Sequence, residues 1–171
     1  MDIIVKHIIR FLLLAILQIF IFNGLEFGYG IHMMLYPLFI MLLPFETGSI
    51  SLLLLAFLMG FLIDIFSNSY GLHTSSLLMM AFFRPIVFKL FSPRDGYDPI
   101  KEPSIFDMGG RWFFIVFGNL LLIHHFWFFL IEIFRIDEFS LILQCTVFSL
   151  VISCLLSVII QILILKKVKS K

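Results

Sequence analysis

Apolar residues in this sequence run in long unbroken blocks, and most polar residues gather between the blocks. Continuous runs predict membrane-spanning helices of about 20 residues each. A transmembrane barrel would instead need strict alternation of apolar and polar positions. Six blocks are legible: Ile4 to Phe22, Gly28 to Phe45, Gly48 to Phe66, Gly71 to Phe91, Trp112 to Phe134 and Phe139 to Leu165. The second is the weakest helix, since Gly28, Gly30, His32 and Pro37 interrupt it. The expected fold is an all-α integral membrane protein, one transmembrane domain over 1–171 built as a bundle of about six helices. Neither an internal repeat nor a low-complexity tract is evident.

Composition narrows the class further. Of 171 residues, 61% are hydrophobic and 13% charged, about half the charged share of a soluble domain. A mean hydropathy of +1.12 leaves too little polar surface to cover a soluble core. Soluble, disordered, disulfide-rich and nucleic-acid-binding classes are all poor fits, and the net charge of +1 implies no polyanionic partner. The two cysteines, Cys145 and Cys154, share one apolar block. On a helix they stand about 13 Å apart, beyond disulfide reach. Lys6 and Arg10 give the first block the basic front of a signal peptide, but no small-x-small cleavage site follows, so a retained first span is expected.

Lys and Arg set the expected orientation. With six spans, the N-terminus, the 92–110 loop with its flanking Arg84 and Lys89, and the tail all fall on one side. That side carries eleven of the twelve basic residues, leaving only Arg135 opposite. Both termini are therefore expected in the cytoplasm. The cytoplasmic loop 92–110 is broken by Pro93, Pro99 and Pro103 and balances its basic residues with acidic ones. It reads as a solvated tether or as a docking surface.

Ionisable residues inside the blocks are the first candidates for chemistry, because burying them is costly unless they pair. Asp64 ends the third block and His73 opens the fourth, with a short turn between, so hairpin geometry brings them within reach. A carboxylate beside an imidazole suits proton relay, but Ser67, Asn68 and Gly71 are turn and cap residues that favour a structural pin. Arg84 precedes Pro85, which frees the Ala81 carbonyl and predicts a local polar spot. Arg84 lies about 10 Å from the inner helix end, within snorkelling distance. Direct pairing of Arg84 with Asp64 is not expected, because their depths differ. His124 and His125 point about 100° apart and are poor joint metal ligands, since helical zinc sites use i, i+4 spacing. Glu132 shares a face with His125. Motifs of serine, zinc and aspartyl intramembrane proteases and of nucleotide sites are missing, so neither an enzyme nor a cofactor is expected.

The stretch Gly60-Phe-Leu-Ile-Asp64-Ile-Phe-Ser67-Asn-Ser-Tyr-Gly71-Leu-His73 resembles the signature of the MreD family of rod shape-determining integral membrane proteins. Phe83-Arg84-Pro85, the loop Ser92-Pro-Arg-Asp-Gly96-Tyr, the pair His124-His125 and Pro44-Phe-Glu46 extend the match toward the Bacteroidetes branch. The resemblance implies a non-enzymatic component of the elongation machinery in the bacterial inner membrane, with a fold like the S-component of vitamin transporters. Its implied direct partner is MreC. The actin-like MreB, the polymerase RodA and a class B penicillin-binding protein are partners direct or indirect, within peptidoglycan biosynthesis. On this reading Asp64, Ser67, Gly71, His73, Arg84, Pro85, His124 and His125 are structural or partner-binding residues in contact with helices and membrane lipids. Two rivals remain: a substrate-binding transport subunit, and an intramembrane enzyme using Asp64 with His73. Span one is almost all bulky from Leu12 to Ile21, which offers no small-residue stripe for a transporter's coupling helices. Cell-shape genes beside this one favour scaffolding, and ATPase genes favour transport.

Overall fold

In hydrocarbon every backbone polar group must be satisfied within the protein, and a helix does this inside one segment. A computed structural model, describing residues 3–23 and 30–165, has helices for five of the six apolar blocks. They are α1 (Ile3–Leu17), continuing through a π-helical turn at Gln18–Phe22, then α3 (Ser49–Ser67), α4 (Leu72–Leu90), α6 (Gly110–Ile133) and α7 (Phe139–Ile160). Two short α-helices lie between them among the described residues, α2 (Pro37–Met41) and α5 (Ile105–Met108), with a 3-10 turn at Ile136–Glu138 and a π turn at Gln161–Leu165. Gly28 of the second block and the basic tail Lys166, Lys167, Lys169 and Lys171 lie outside the described residues.

Among the described residues, four stretches are long and apolar enough to cross a membrane: Ile4–Phe22, Ser49–Ser67, Gly110–Ile133 and Ile136–Leu163. α4 has the same 19-residue length as α3 but carries His73, Arg84 and Lys89. Large apolar side chains point outward along these helices, while Asp64, His73, Arg84, His124 and His125 are buried. Polar inside and apolar outside is the inverse of a soluble domain. The fold is an all-α membrane bundle.

α3, α4, α6 and α7 pack in chain order. α3 meets α4 closely at the buried Gly60. A Cβ at Gly60 would lie 2.5 Å from Thr74 Cα, so only glycine permits this backbone approach. Such small-residue contacts substitute for the hydrophobic drive that lipid removes.

The second block is where the structure departs from expectation. It is no continuous helix: residues 32–35 are non-helical, and α2 lasts barely more than one turn. Every residue from Met33 to Leu43 is buried. The segment runs through the bundle from Ser149 midway along α7 to Tyr97 in the 92–110 loop. Non-helical backbone at membrane depth is tolerated only when protein surrounds it and supplies the missing hydrogen bonds. Gln18 on the π turn does so from one side, accepting from Leu35 N–H at 2.6 Å and donating to Met33 C=O at 3.0 Å. Ser149 and Ser153 of α7 do so from the other, accepting from His32 N–H and Met34 N–H at 3.0 Å each.

The 92–110 loop is folded against the end of the bundle. Tyr97 stacks on Phe45 at 4.3 Å and donates to Phe88 C=O at 2.7 Å. Ser104 caps α5, and Ile105 N–H donates to Gln161 at 3.1 Å. Glu102 accepts from Lys6 and from Arg10 of α1. Burial alone would raise its pKa, but these two cations outweigh it and hold the carboxyl below its usual range.

Candidate functional site

Asp64 is the hub of the α3–α4 turn. α3 stops where Asn68 adopts the left-handed conformation (φ 53°), and Tyr70 (φ 48°) and Gly71 (φ 96°) follow it there. The chain thereby reverses within four residues. The residue preceding α4 is Gly71, which has no side chain to cap the helix. Asp64 supplies that cap from the preceding helix. Its Oδ1 accepts from His73 N–H at 3.0 Å, His73 Nδ1 at 3.0 Å and the Ser69 hydroxyl at 2.6 Å. Its Oδ2 accepts from Thr74 N–H at 2.9 Å and from the Thr74 hydroxyl. A carboxylate at a helix N-terminus satisfies orphan N–H groups and complements the macrodipole. The expected nearness of Asp64 and His73 is therefore observed, with a structural reason behind it. Ser67 lies beside this hub, accepting from Asn23 Nδ2 at 2.6 Å and so tying α3 to the end of the first helix.

A carboxylate only accepts, so Nδ1 of His73 carries its proton toward Asp64. Nε2 is left with a lone pair and makes no hydrogen bond among the described residues, although His73 is only 8% exposed. His73 lines a cavity of about 420 Å³.

Arg84 does not snorkel, although its depth permits it: it is 2% exposed, inside the bundle. Its Nη2 donates to Leu43 C=O and, at 3.4 and 3.3 Å, to Met41 C=O and Pro44 C=O. These carbonyls end α2, so the cation caps the helix end whose dipole is negative. The guanidinium also lies 4.3 Å over the Phe88 ring. α4 continues as helix through Pro85, and the polar spot lies across the interface at α2. Arg84 and Asp64 do not pair.

His124 and His125 take different hydrogen-bond partners, although their rings meet edge-on at 5.1 Å. Nε2 of His124 meets the Tyr36 hydroxyl at 2.7 Å, and Tyr36 packs edge-on between His124 and His73. Nδ1 of His125 lies 2.9 Å from Leu121 C=O, and its Nε2 lies 3.1 Å from Ser153 Oγ. The carbonyl only accepts, so Nδ1 bears the proton and Nε2 accepts from the serine. Ser153 therefore donates to His125 while accepting from Met34 N–H. Glu132 does not join His125; it stands 3.5 Å from His32. No group of three or more metal-ligating side chains occurs among the described residues, and Cys145 and Cys154 form no disulfide.

Sequence reasoning singled out Asp64, His73, Arg84 and the histidine pair, but missed Gln18, Tyr36, Ser69, Thr74, Ser149 and Ser153. The signal for the serines was present: Ser149, Ser153 and Ser157 recur every fourth residue in an otherwise apolar helix.

A second opening lies on the flank of the bundle. It is an apolar groove of about 470 Å³ between α1 (Ile8, Phe11, Leu12), the residues after α2 (Leu43, Pro44) and α3 (Leu58). Compared with known proteins, the chain matches no family model, no curated protein and no solved structure.

Proposed function

We propose that this protein is a non-enzymatic membrane scaffold of the bacterial cell-elongation machinery, a membrane clamp for the single span of an MreC-type partner. The flank groove between α1 and α3 carries this reading: it is apolar, and it lies near the end of the bundle where Lys6 and Arg10 hold the loop. The MreD-like motif supports it. Gly60, Asp64 and Arg84 each hold two backbone segments together, a structural use for residues that otherwise suggest chemistry. Helix association in lipid rests on close packing and interhelical hydrogen bonds, and a groove of bulky apolar side chains offers the packing.

The expected topology places both termini and the 92–110 loop in the cytoplasm of an inner-membrane protein. A reporter fused at Lys171 should be active only in the cytoplasm; periplasmic activity contradicts this topology.

Co-purification with MreC in detergent tests the clamp. Recovery is expected to survive high salt and to survive neutralising Arg94, Lys101 and Arg111, because surface ion pairs are each worth less than about 1 kcal/mol. Ile8→Trp, which fills the groove from an exposed position, should reduce recovery several-fold at unchanged protein level. Complete release by salt, or undiminished recovery with Ile8→Trp, rules out the groove as the clamp.

A further inference from the structure

The cavity at the α3–α4 turn end has no part in the clamp, and it is built unlike the groove. Its volume of about 420 Å³ falls in the range of small-molecule sites. Three aromatic rings, Phe22, Phe66 and Phe128, contribute to its wall, with Glu132, His73 and Ser67 among the polar lining. No Lys or Arg belongs to the described lining. His73 is more than nine-tenths buried and lines the cavity, yet its Nε2 has no hydrogen-bond partner among the described residues. Asp64 and Ser69 fix the other ring nitrogen, so in the neutral ring Nε2 is an acceptor. Glu132 adds a carboxylate whose nearest described partner is His32 at 3.5 Å.

The geometry points to a binding site for a small organic ammonium, an amine joined to an aromatic or similarly compact apolar body. The amine supplies the donors that Nε2 of His73 and the Glu132 carboxylate lack, and the apolar body lies against the phenylalanine rings. A cation over aromatic faces gains further attraction. An anion would meet Glu132, with Asp64 behind His73, and no described cation in the lining to offset them. The titratable groups around the cavity are His32, His73 and Glu132, with Asp64 behind His73. This inference goes beyond the scaffold reading and does not depend on it.

Three probes of matched shape test it by calorimetry on the full chain in lipid nanodiscs: phenethylamine, 2-phenylethanol and phenylacetate. Phenethylamine should bind saturably and at least tenfold more tightly than 2-phenylethanol, with no saturable heat from phenylacetate. Glu132→Gln should weaken phenethylamine binding at least tenfold while the melting temperature stays unchanged, since among the described residues the Glu132 carboxylate makes no polar contact closer than His32 at 3.5 Å. In protein carrying nitrogen-labelled histidine, the Nε2 resonance of His73 should shift on phenethylamine addition. The inference is overturned if phenethylamine gives no saturable heat, if all three probes bind alike as simple partition would have it, if phenylacetate binds best, or if Glu132→Gln binds as well as the parent chain.

Discussion

Asp64→Leu should abolish the folded bundle or lower its melting temperature more than any other single side-chain exchange in the turn. Five donor contacts converge on this carboxylate: two backbone N–H groups of α4, the Ser69 and Thr74 hydroxyls and the His73 ring. Leucine leaves the two backbone donors without the acceptors they have in the parent protein, and a buried donor left unsatisfied costs about 1–3 kcal/mol. The hydroxyls can turn elsewhere, so the backbone donors set the minimum loss. Asp64→Asn is expected to be intermediate. Its carbonyl oxygen still caps one N–H, but its amide turns donors toward the other. Melting temperature and folded yield in detergent order the variants as parent, Asn, then Leu. If Asp64 worked instead as a titrating proton relay, Asn would be as damaging to function as Leu; equal loss of cell shape at normal levels of folded protein sinks the structural account.

The second large effect is expected at Arg84. Arg84→Met removes the donor shared by the Met41, Leu43 and Pro44 carbonyls, in surroundings where water cannot replace it. Removal also relieves the cost of burying a cation, which makes the net loss smaller than three hydrogen bonds would suggest; about 2–4 kcal/mol is expected. Arg84→Lys keeps a charge and rotatable donors but has a single nitrogen to place, so it should recover part of the loss. Thermal unfolding in detergent reads both variants. A methionine variant as stable as the parent chain would mean that the end of α2 needs no capping cation.

The long helices were legible because hydropathy is a local property: each apolar block carries its own helix signal, and the boundaries agree within a few residues. The Asp64–His73 pair was legible for a related reason, since a short turn fixes which residues of two antiparallel helices lie at one depth. The path of the second block was not. Met33, Met34, Leu35 and Tyr36 are as apolar as helical residues, and nothing within the block says that their N–H groups bond elsewhere. The acceptors are side chains of Gln18, Ser149 and Ser153, two of them more than a hundred residues away. For Arg84 the sequence shows a snorkelling distance and a local polar spot at Pro85, but no acceptor on a neighbouring segment. Its true acceptors are carbonyls freed by the shortness of α2, invisible until that helix is seen to end. Glu102 behaves likewise, as its partners Lys6 and Arg10 stand at the far end of the chain.

The serine contacts to the second block bear on the order in which the protein can be made. A ribosome delivers this chain to the membrane from its N-terminus, so the segment at Met33–Leu43 arrives early. His32 N–H and Met34 N–H find their acceptors only when α7 arrives, 117 and 119 residues later. Until then the nascent chain holds a non-helical strand whose partners have not been synthesised, and it must stay near water, adopt a temporary helix or borrow acceptors from the insertion machinery. α7 is thus a closing element: its arrival lets the second segment settle, and until then His32 N–H and Met34 N–H lack the acceptors they have in the finished bundle.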